Sequence, residues 1–460
     1  MSIRAAHPDS PALFHPAGAL GVVNRSRGDL SPAGKDAAAR TSRLLAPAHP
    51  RYAFGAMSQN ANRNAIAEDP PAWPRHLPPL LGYVMAVGPA ATDMYLPAFP
   101  AVEASLRAAP GGAQFTLAAW FAGLAVGQIL VGTLSDRHGR RRPLAAGFAL
   151  FALAMACSAV APSIAVMSVL RFIAAIGASS GMVISRAVVR DVADGQRGAL
   201  LMSRLTVIQG VAPIIAPMLG AGLLAIANWQ MIFWVQALYG LSCTVLVWSA
   251  LPETLPESRR IRVTAAQMLV RYAGIATEPV FVTHAIMMGG ASFCLFAYLG
   301  GSSPVFIQGF GLSPAAFGGI FGFCAIGLVL GARINTRLLP RFGLSVMLRA
   351  IAAVALAATA MLLAVSLSGT HVVWLVIAPI FVAMACQGFS NGNTVAGALT
   401  NHAAHAGSAS ALLGVFQYVM GSVSGLLVGI LTDGTPRGMA LLMVCGALTA
   451  AIADRFRPRA

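Results

Sequence analysis

The stretch Gly132-Thr133-Leu134-Ser135-Asp136-Arg137-His138-Gly139-Arg140-Arg141-Arg142-Pro143 sets one carboxylate among four arginines in a short turn. Long apolar runs flank it, over about residues 114–134 and 143–161. A helix needs ~20 residues to cross ~30 Å of hydrocarbon. A charged turn between two such runs is the pattern of a hairpin of membrane helices.

Working outward, the same pattern repeats along most of the chain. Of 460 residues, 57% are hydrophobic and 10% charged, against about 25% charged in an ordinary soluble domain. A soluble enzyme and a wholly disordered chain are both excluded, because too little polar surface exists to coat several soluble domains. Twelve apolar segments follow residue 76: 77–98, 114–134, 143–161, 163–187, 201–226 and 229–251, then 279–301, 314–334, 344–366, 371–394, 408–430 and 437–455. A β-barrel would alternate apolar and polar residues over short strands, and these runs do not. The expected class is therefore an all-α, multi-pass membrane protein embedded in a lipid bilayer.

The formal charge is +16, and its distribution decides between a nucleic-acid surface and a membrane face. Past residue 76 there are 22 arginines. Arg107 and Arg437 follow odd-numbered segments, and Arg171 lies inside the fourth. The rest gather at even-numbered loops, at the ends of flanking segments, or at the C-terminus. By the positive-inside rule both termini are expected in the cytoplasm, and no nucleic-acid partner is implied. The six cysteines fall singly within apolar runs, as small packing residues rather than disulfides or a metal site.

Residues 1–76 are rich in Ala, Pro, Arg, Ser and Asn and lack a spanning run or a signal-peptide core, which predicts a disordered cytoplasmic tail. Met57 reads as a natural start, with 1–56 an over-extension. The remainder divides at a polar stretch, 252–278, into an N-terminal six-helix bundle (77–251) and a C-terminal one (279–460). A weak repeat supports the division. Gly132 to Asp136 after the second segment matches Gly331 to Asn335 after the eighth at the same offset, with arginines following both. Parallel six-helix halves are a transporter pattern.

The opening stretch resembles the major facilitator signature Gly-x-Leu-x-Asp-Arg-x-Gly-Arg-Arg. Thr92-Asp93-Met94-Tyr95-Leu96-Pro97, Leu170-Arg171-Phe172, Ala212-Pro213-Ile214-Ile215-Ala216-Pro217-Met218-Leu219-Gly220, Leu251-Pro252-Glu253-Thr254-Leu255 and Gly407-Ser408-Ala409-Ser410 narrow the likeness. Together they are similar to the Bcr/CflA branch of drug:proton antiporters over about residues 77–455. That resemblance implies a major facilitator fold in a bacterial inner membrane, acting as a monomer on drugs of the bicyclomycin or chloramphenicol type. It implies a conformational latch at Gly132, Asp136, Arg137, Gly139, Arg140 and Arg141, and an antiporter motif at Pro213, Pro217 and Gly220. The motif carries Ala216 and Ala221 where the family places glycines.

Asp93 stands within a spanning segment, where an ionisable residue is costly and points to function. The other acids past residue 76 fall in expected loops or near helix ends. Asp93 reads as the proton-coupling group, or as a helix-terminating carboxylate meeting headgroups. Arg171 reads as its electrostatic partner, or as a structural residue binding backbone carbonyls. His284 is a second titratable candidate, alternatively a packed histidine; His402 and His405 read as solvated. Gly132 is expected to allow close helix approach, and Asp136 to sit at a helix N-terminus. A substrate cavity is expected from Tyr95, Gln128, Met182, Gln209, Phe293, Phe296, Tyr298, Gln387, Asn391 and Gln417, with few charges and therefore a taste for neutral or zwitterionic amphipathic compounds. No ATP-binding loop, cofactor motif or catalytic constellation is present in the sequence, so the drive is an ion or substrate gradient. A metabolite carrier on the same fold and a transport-inactive membrane sensor remain alternatives.

Overall fold

The first apolar segment is broken where a single span was expected, and the break has a chemical cause. In the computed structural model it consists of α1 (Leu77–Met85), α2 (Val87–Thr92), a 3-10 turn (Leu96–Ala98) and α3 (Phe99–Ser105). Pro97 has no N–H to give the Asp93 carbonyl, so the helix cannot continue through this position. Tyr95 N donates to Thr92 O instead at 3.3 Å. The carbonyls of Ala90 and Ala91 are thereby left without helical donors. Side chains replace them: Gln236 Nε2 donates to Ala90 O at 3.1 Å and Arg171 Nη2 to Ala91 O at 3.2 Å. In a bilayer such replacement is obligatory, since no water satisfies an exposed carbonyl.

The structure describes residues 74, 76–193, 195–260, 265–402 and 406–458. The expected tail, the Met57 start and His405 lie outside the described residues. After α3 come α4 (Gly112–His138), α5 (Arg141–Ala159), α6 (Ile164–Val192), α7 (Gly195–Ile226) and α8 (Gln230–Ala250). A short helix α9 (Ala265–Ala276) follows, then α10 (Pro279–Ser303), α11 (Pro314–Leu367), α12 (Val373–Leu399), α13 (Ala406–Leu431) and α14 (Pro436–Arg455). Among the described residues ten helices are long and apolar enough to cross a membrane. α11 counts twice, because its 54 residues bend at Gly343, whose φ of 75° lies in the left-handed region. With the broken first segment this gives the twelve expected spans. α9 occupies part of the stretch expected as a linker.

Within the helices up to Ala250, α4 packs on α6 and α5 on α8; from Pro279 onward, α11 packs on α12 and α10 on α14. The most extensive contacts between the groups are α4 with α13 and α7 with α11. Gly132 does not make the close helix approach expected of it: a Cβ there would meet its nearest atom, on Val183, at 4.0 Å. α4 instead approaches α6 closely at Gly123, where a Cβ would lie 2.3 Å from Phe172 O.

Candidate functional site: a cavity between two helix groups

A cavity of about 580 Å³ opens between the two groups of helices. Asp93 and Thr92 line it at the break of the first segment, with Phe121 and Leu124 of α4 and Met182, Arg186 and Arg190 of α6. Gln209 and Pro213 of α7 continue the wall, which Phe296 and Tyr298 of α10, Phe321 of α11, Asn391 of α12 and Gln417 and Tyr418 of α13 complete. Aromatic rings dominate: Phe121 and Phe296 lie 4.1 Å apart between centroids, and Tyr298 stacks on Phe321 at 5.2 Å. Such a chamber, apolar with a few polar handles, suits a small organic molecule.

Of the expected cavity residues, Met182, Gln209, Phe296, Tyr298, Asn391 and Gln417 line it. Four lie elsewhere. Tyr95 points into the first group, where its hydroxyl meets Thr116 Oγ1 at 3.1 Å. Gln128 is buried between α4 and α13; a Cβ on Gly414 would lie 3.3 Å from its amide oxygen. Gln387 donates to Ala291 O at 2.9 Å and lines a separate small crevice. Phe293 packs against the core, and its carbonyl accepts from Ser424 Oγ at 2.9 Å. Helical periodicity on twelve similar spans does not show which face of each meets the cavity.

Asp93 is the one acid on the cavity wall among the described residues, and it is 5% exposed. Its carboxylate makes no hydrogen bond or ion pair among the described residues. The expected antiporter motif, on α7, supports it from behind. Gly220 lets α7 press on the break, since a Cβ there would lie 2.0 Å from the carbonyl oxygen of Met94. Pro213 and Pro217 lie inside α7, so the carbonyls of Gln209 and Pro213 lose their helical N–H donors. Both of those residues line the cavity.

Arg171 does not pair with Asp93 in this structure. It is fully buried, with its guanidinium 4.4 Å from the Tyr95 ring centroid, 5.1 Å from Trp120 and 5.9 Å from Phe233. Cation–π attraction and the Ala91 carbonyl hold it inside the first group. The expected depths of the two residues were compatible with a pair, but the break turns Asp93 to the cavity and the rings retain Arg171. His284 Nδ1 donates to Val280 O at 2.7 Å, and the side chain is buried away from the cavity. His402 is not simply solvated: it lies 3.7 Å from Glu278 and edge-on to Phe281.

At the arginine-rich end the opening stretch forms a clasp. Arg140 donates to Asp136 Oδ1 at 2.6 Å, to Asp191 Oδ2 at 2.8 Å and to Ser135 Oγ at 2.7 Å. Burial pushes the Arg140 pKa down, but the hydrogen bonds to Asp191 and Asp136 outweigh it, and the guanidinium is held above its ordinary value. The carboxylate at a helix N-terminus is Glu253, not Asp136. It accepts from the backbone N–H of Arg140 at 2.7 Å and of Arg141 at 3.2 Å, capping α5. Asp136 is drawn to Arg140, one helical turn on. Gly139 is required twice here: its φ is 87°, and a Cβ would lie 2.4 Å from Glu253 Oε2. Arg137 is exposed, and Arg141 donates to the Trp248 carbonyl while lying over the Trp248 ring.

The opposite end is shut. A Cβ on Gly111 would lie 2.1 Å from Gly429 O, and Gln114 Nε2 donates to Gly300 O across the groups at 3.3 Å. Glu103, expected in a loop, is buried on α3. It accepts from Gly111 N and Ala113 N, each at 3.1 Å, and from Gln308 Nε2 at 3.5 Å. Composition alone hid it, because a lone Glu after an apolar run reads as surface.

Comparison with known proteins agrees with this architecture. The Major Facilitator Superfamily profile matches residues 81–428. The MFS-type transporter YdgK of Bacillus subtilis is 36% identical over 80% of this chain and 93% of its own. The bicyclomycin resistance protein homolog of Haemophilus influenzae is 26% identical over 82% of this chain and 94% of its own. Among solved structures, the xylose transporter XylE of E. coli aligns with TM-score 0.63 at 14% identity, covering 83% of this chain and 96% of its own. The chain belongs to the major facilitator superfamily, and its bicyclomycin-resistance relative upholds the likeness to Bcr/CflA drug:proton antiporters.

Proposed function

We propose that the protein exports small amphipathic compounds across a bacterial inner membrane in exchange for protons, with both termini in the cytoplasm. The observation that carries this reading is Asp93, an unpaired carboxylate on the wall of a drug-sized apolar cavity at a helix break. A carboxyl group can hold a proton or release it, and substrate in the same chamber competes for the space it faces. A broken helix beside the site gives the backbone a place to flex as access alternates. On this reading Arg171 is a positioning residue, which seals the Ala91 carbonyl and so fixes the break that presents Asp93. The bundles 77–251 and 279–460 move about the cavity as two bodies. The open arginine-rich end corresponds to the cytoplasmic side, and the clasp at Asp136 and Arg140 bears on the second bundle once that side closes. The relative named for bicyclomycin resistance supports drugs as cargo.

A metabolite carrier shares the fold but has no specific observation in its favour here. The test is proton release. Inverted vesicles bearing the protein are acidified inside, then given bicyclomycin, chloramphenicol or a set of amphipathic dyes. Lumenal alkalinisation on addition of at least one compound, absent from vesicles without the protein, is expected. No response to any of them, with the protein inserted, would overturn drug:proton exchange.

A further inference from the structure

Two guanidiniums line the cavity wall without a direct acid partner among the described residues. Arg186 and Arg190 lie one turn apart on α6, and both line the cavity. Neither makes a hydrogen bond or ion pair among the described residues. The neighbouring acid, Asp191, is engaged by Arg140 at 2.8 Å and by Thr254 Oγ1 at 3.1 Å. Like charges at this helical spacing repel each other. The positive-inside rule asks for arginines at this end, but not for a bare pair aimed into a chamber. Arg457, at the same end, is answered by Asp454 at 2.9 Å.

The cavity is also polarised along its length. A Cβ on Gly88 would lie 3.7 Å from Met182 Sδ, so these two residues are level. From that level Asp93 is five residues further in and Arg186 four residues further out. At 1.5 Å per residue the carboxylate and the first guanidinium are separated by ~13 Å along the bundle. Between them stand the rings of Phe121, Phe296 and Tyr418, with centroids 4.1 to 6.4 Å apart. A negative group is repelled at the inner end and attracted at the outer one, so a bound molecule has one preferred orientation.

We propose that the cavity selects amphipathic molecules bearing an anionic group such as a carboxylate or sulfonate, seated on Arg186 and Arg190, with the apolar body against the aromatic wall. This narrows the cargo of the efflux reading above and rests on that reading for its transport role. The sequence reading expected neutral or zwitterionic cargo because it counted these arginines as part of the loop.

The test uses a matched fluorescent pair, dansylglycine and its uncharged amide, titrated into the purified full-length protein. A charge-assisted contact is worth roughly a tenfold or greater preference for the acid. The double variant Arg186→Gln, Arg190→Gln should bind both probes alike, with amide binding as in the parent, which also shows that it is folded. Arg186→Lys, Arg190→Lys should keep most of the preference. Equal binding in the parent, absence of binding by either probe, or a preference surviving the glutamine variant would each overturn the inference. If dansylglycine binds with the expected preference yet neither it nor any compound of the vesicle assay above releases protons, the anionic site stands and the efflux reading falls.

Discussion

The two ends of the bundle are held together differently. At the arginine-poor end the halves meet directly, backbone against backbone at Gly111 and Gly429, with Glu103 and Gln114 reaching across. At the arginine-rich end the strongest bonds stay within one half. Arg140, Asp136, Asp191 and Glu253 all belong to the chain before residue 254, and the cavity opens beside them. The corresponding position in the second half is uncharged: Asn335 and Asn393 exchange amide hydrogen bonds at 2.9 Å in both directions, buried between α11 and α12. A neutral, satisfied pair locks a packing. The charged cluster keeps its bonds within the first half, and on the proposed transport cycle this is the end where the halves part.

Arg140→Gln should show the largest effect at that end. Arg140 is buried, and its removal leaves Asp191 without its cation, a loss of about 3 kcal/mol. The protein should melt earlier in detergent, and trypsin should cut faster after Arg141. Unchanged melting and cleavage would mean that the clasp is ornamental and the comparison of ends is wrong.

Glu103→Gln acts on the closed end and more gently. It removes the charge from an N-cap with two backbone donors, worth about 1 kcal/mol. Hydrogen exchange over the first turn of α4 should quicken by roughly fivefold, while exchange at the arginine-rich end stays as it was. Equal acceleration at both ends would show that they are not separate devices.

Asp136→Asn should be the mildest. The Asp136 side chain is 56% exposed, so its ion pair contributes no more than about 0.5 kcal/mol to stability. Melting should hardly move, whereas transport should slow, because this carboxylate is expected to bear on the second bundle when that side closes. Wild-type turnover would reduce the opening stretch to a signal for topology.

Much of this was legible from residues. Run length and hydropathy gave the twelve spans, because a bilayer imposes one length on every crossing helix. Arginine placement separated the two ends, and Asp93 stood out as an acid within a span. What was not legible depended on which way side chains point. Asp93 and Arg171 have compatible depths in sequence, yet Pro97 breaks the helix and turns one to the cavity while rings hold the other. Asp136 and Glu253 exchanged roles, since only the fold brings residue 253 against the turn at Gly139. Arg186 and Arg190 counted as topology until α6 carried them onto the cavity wall. Gly132 read as a packing glycine, but the tight contact falls at Gly123, nine residues earlier on α4.

The central claim is that Asp93 couples transport to protons. The most direct measurement is accumulation in inverted vesicles, energised by a proton gradient, of whichever compound gives the strongest proton release. Asp93→Asn is compared with the parent at matched membrane levels. The account predicts that the variant still binds the compound and still exchanges it downhill, but accumulates none against a gradient. Accumulation equal to the parent would contradict it and move the coupling group away from the cavity wall, with His284 the next residue to test.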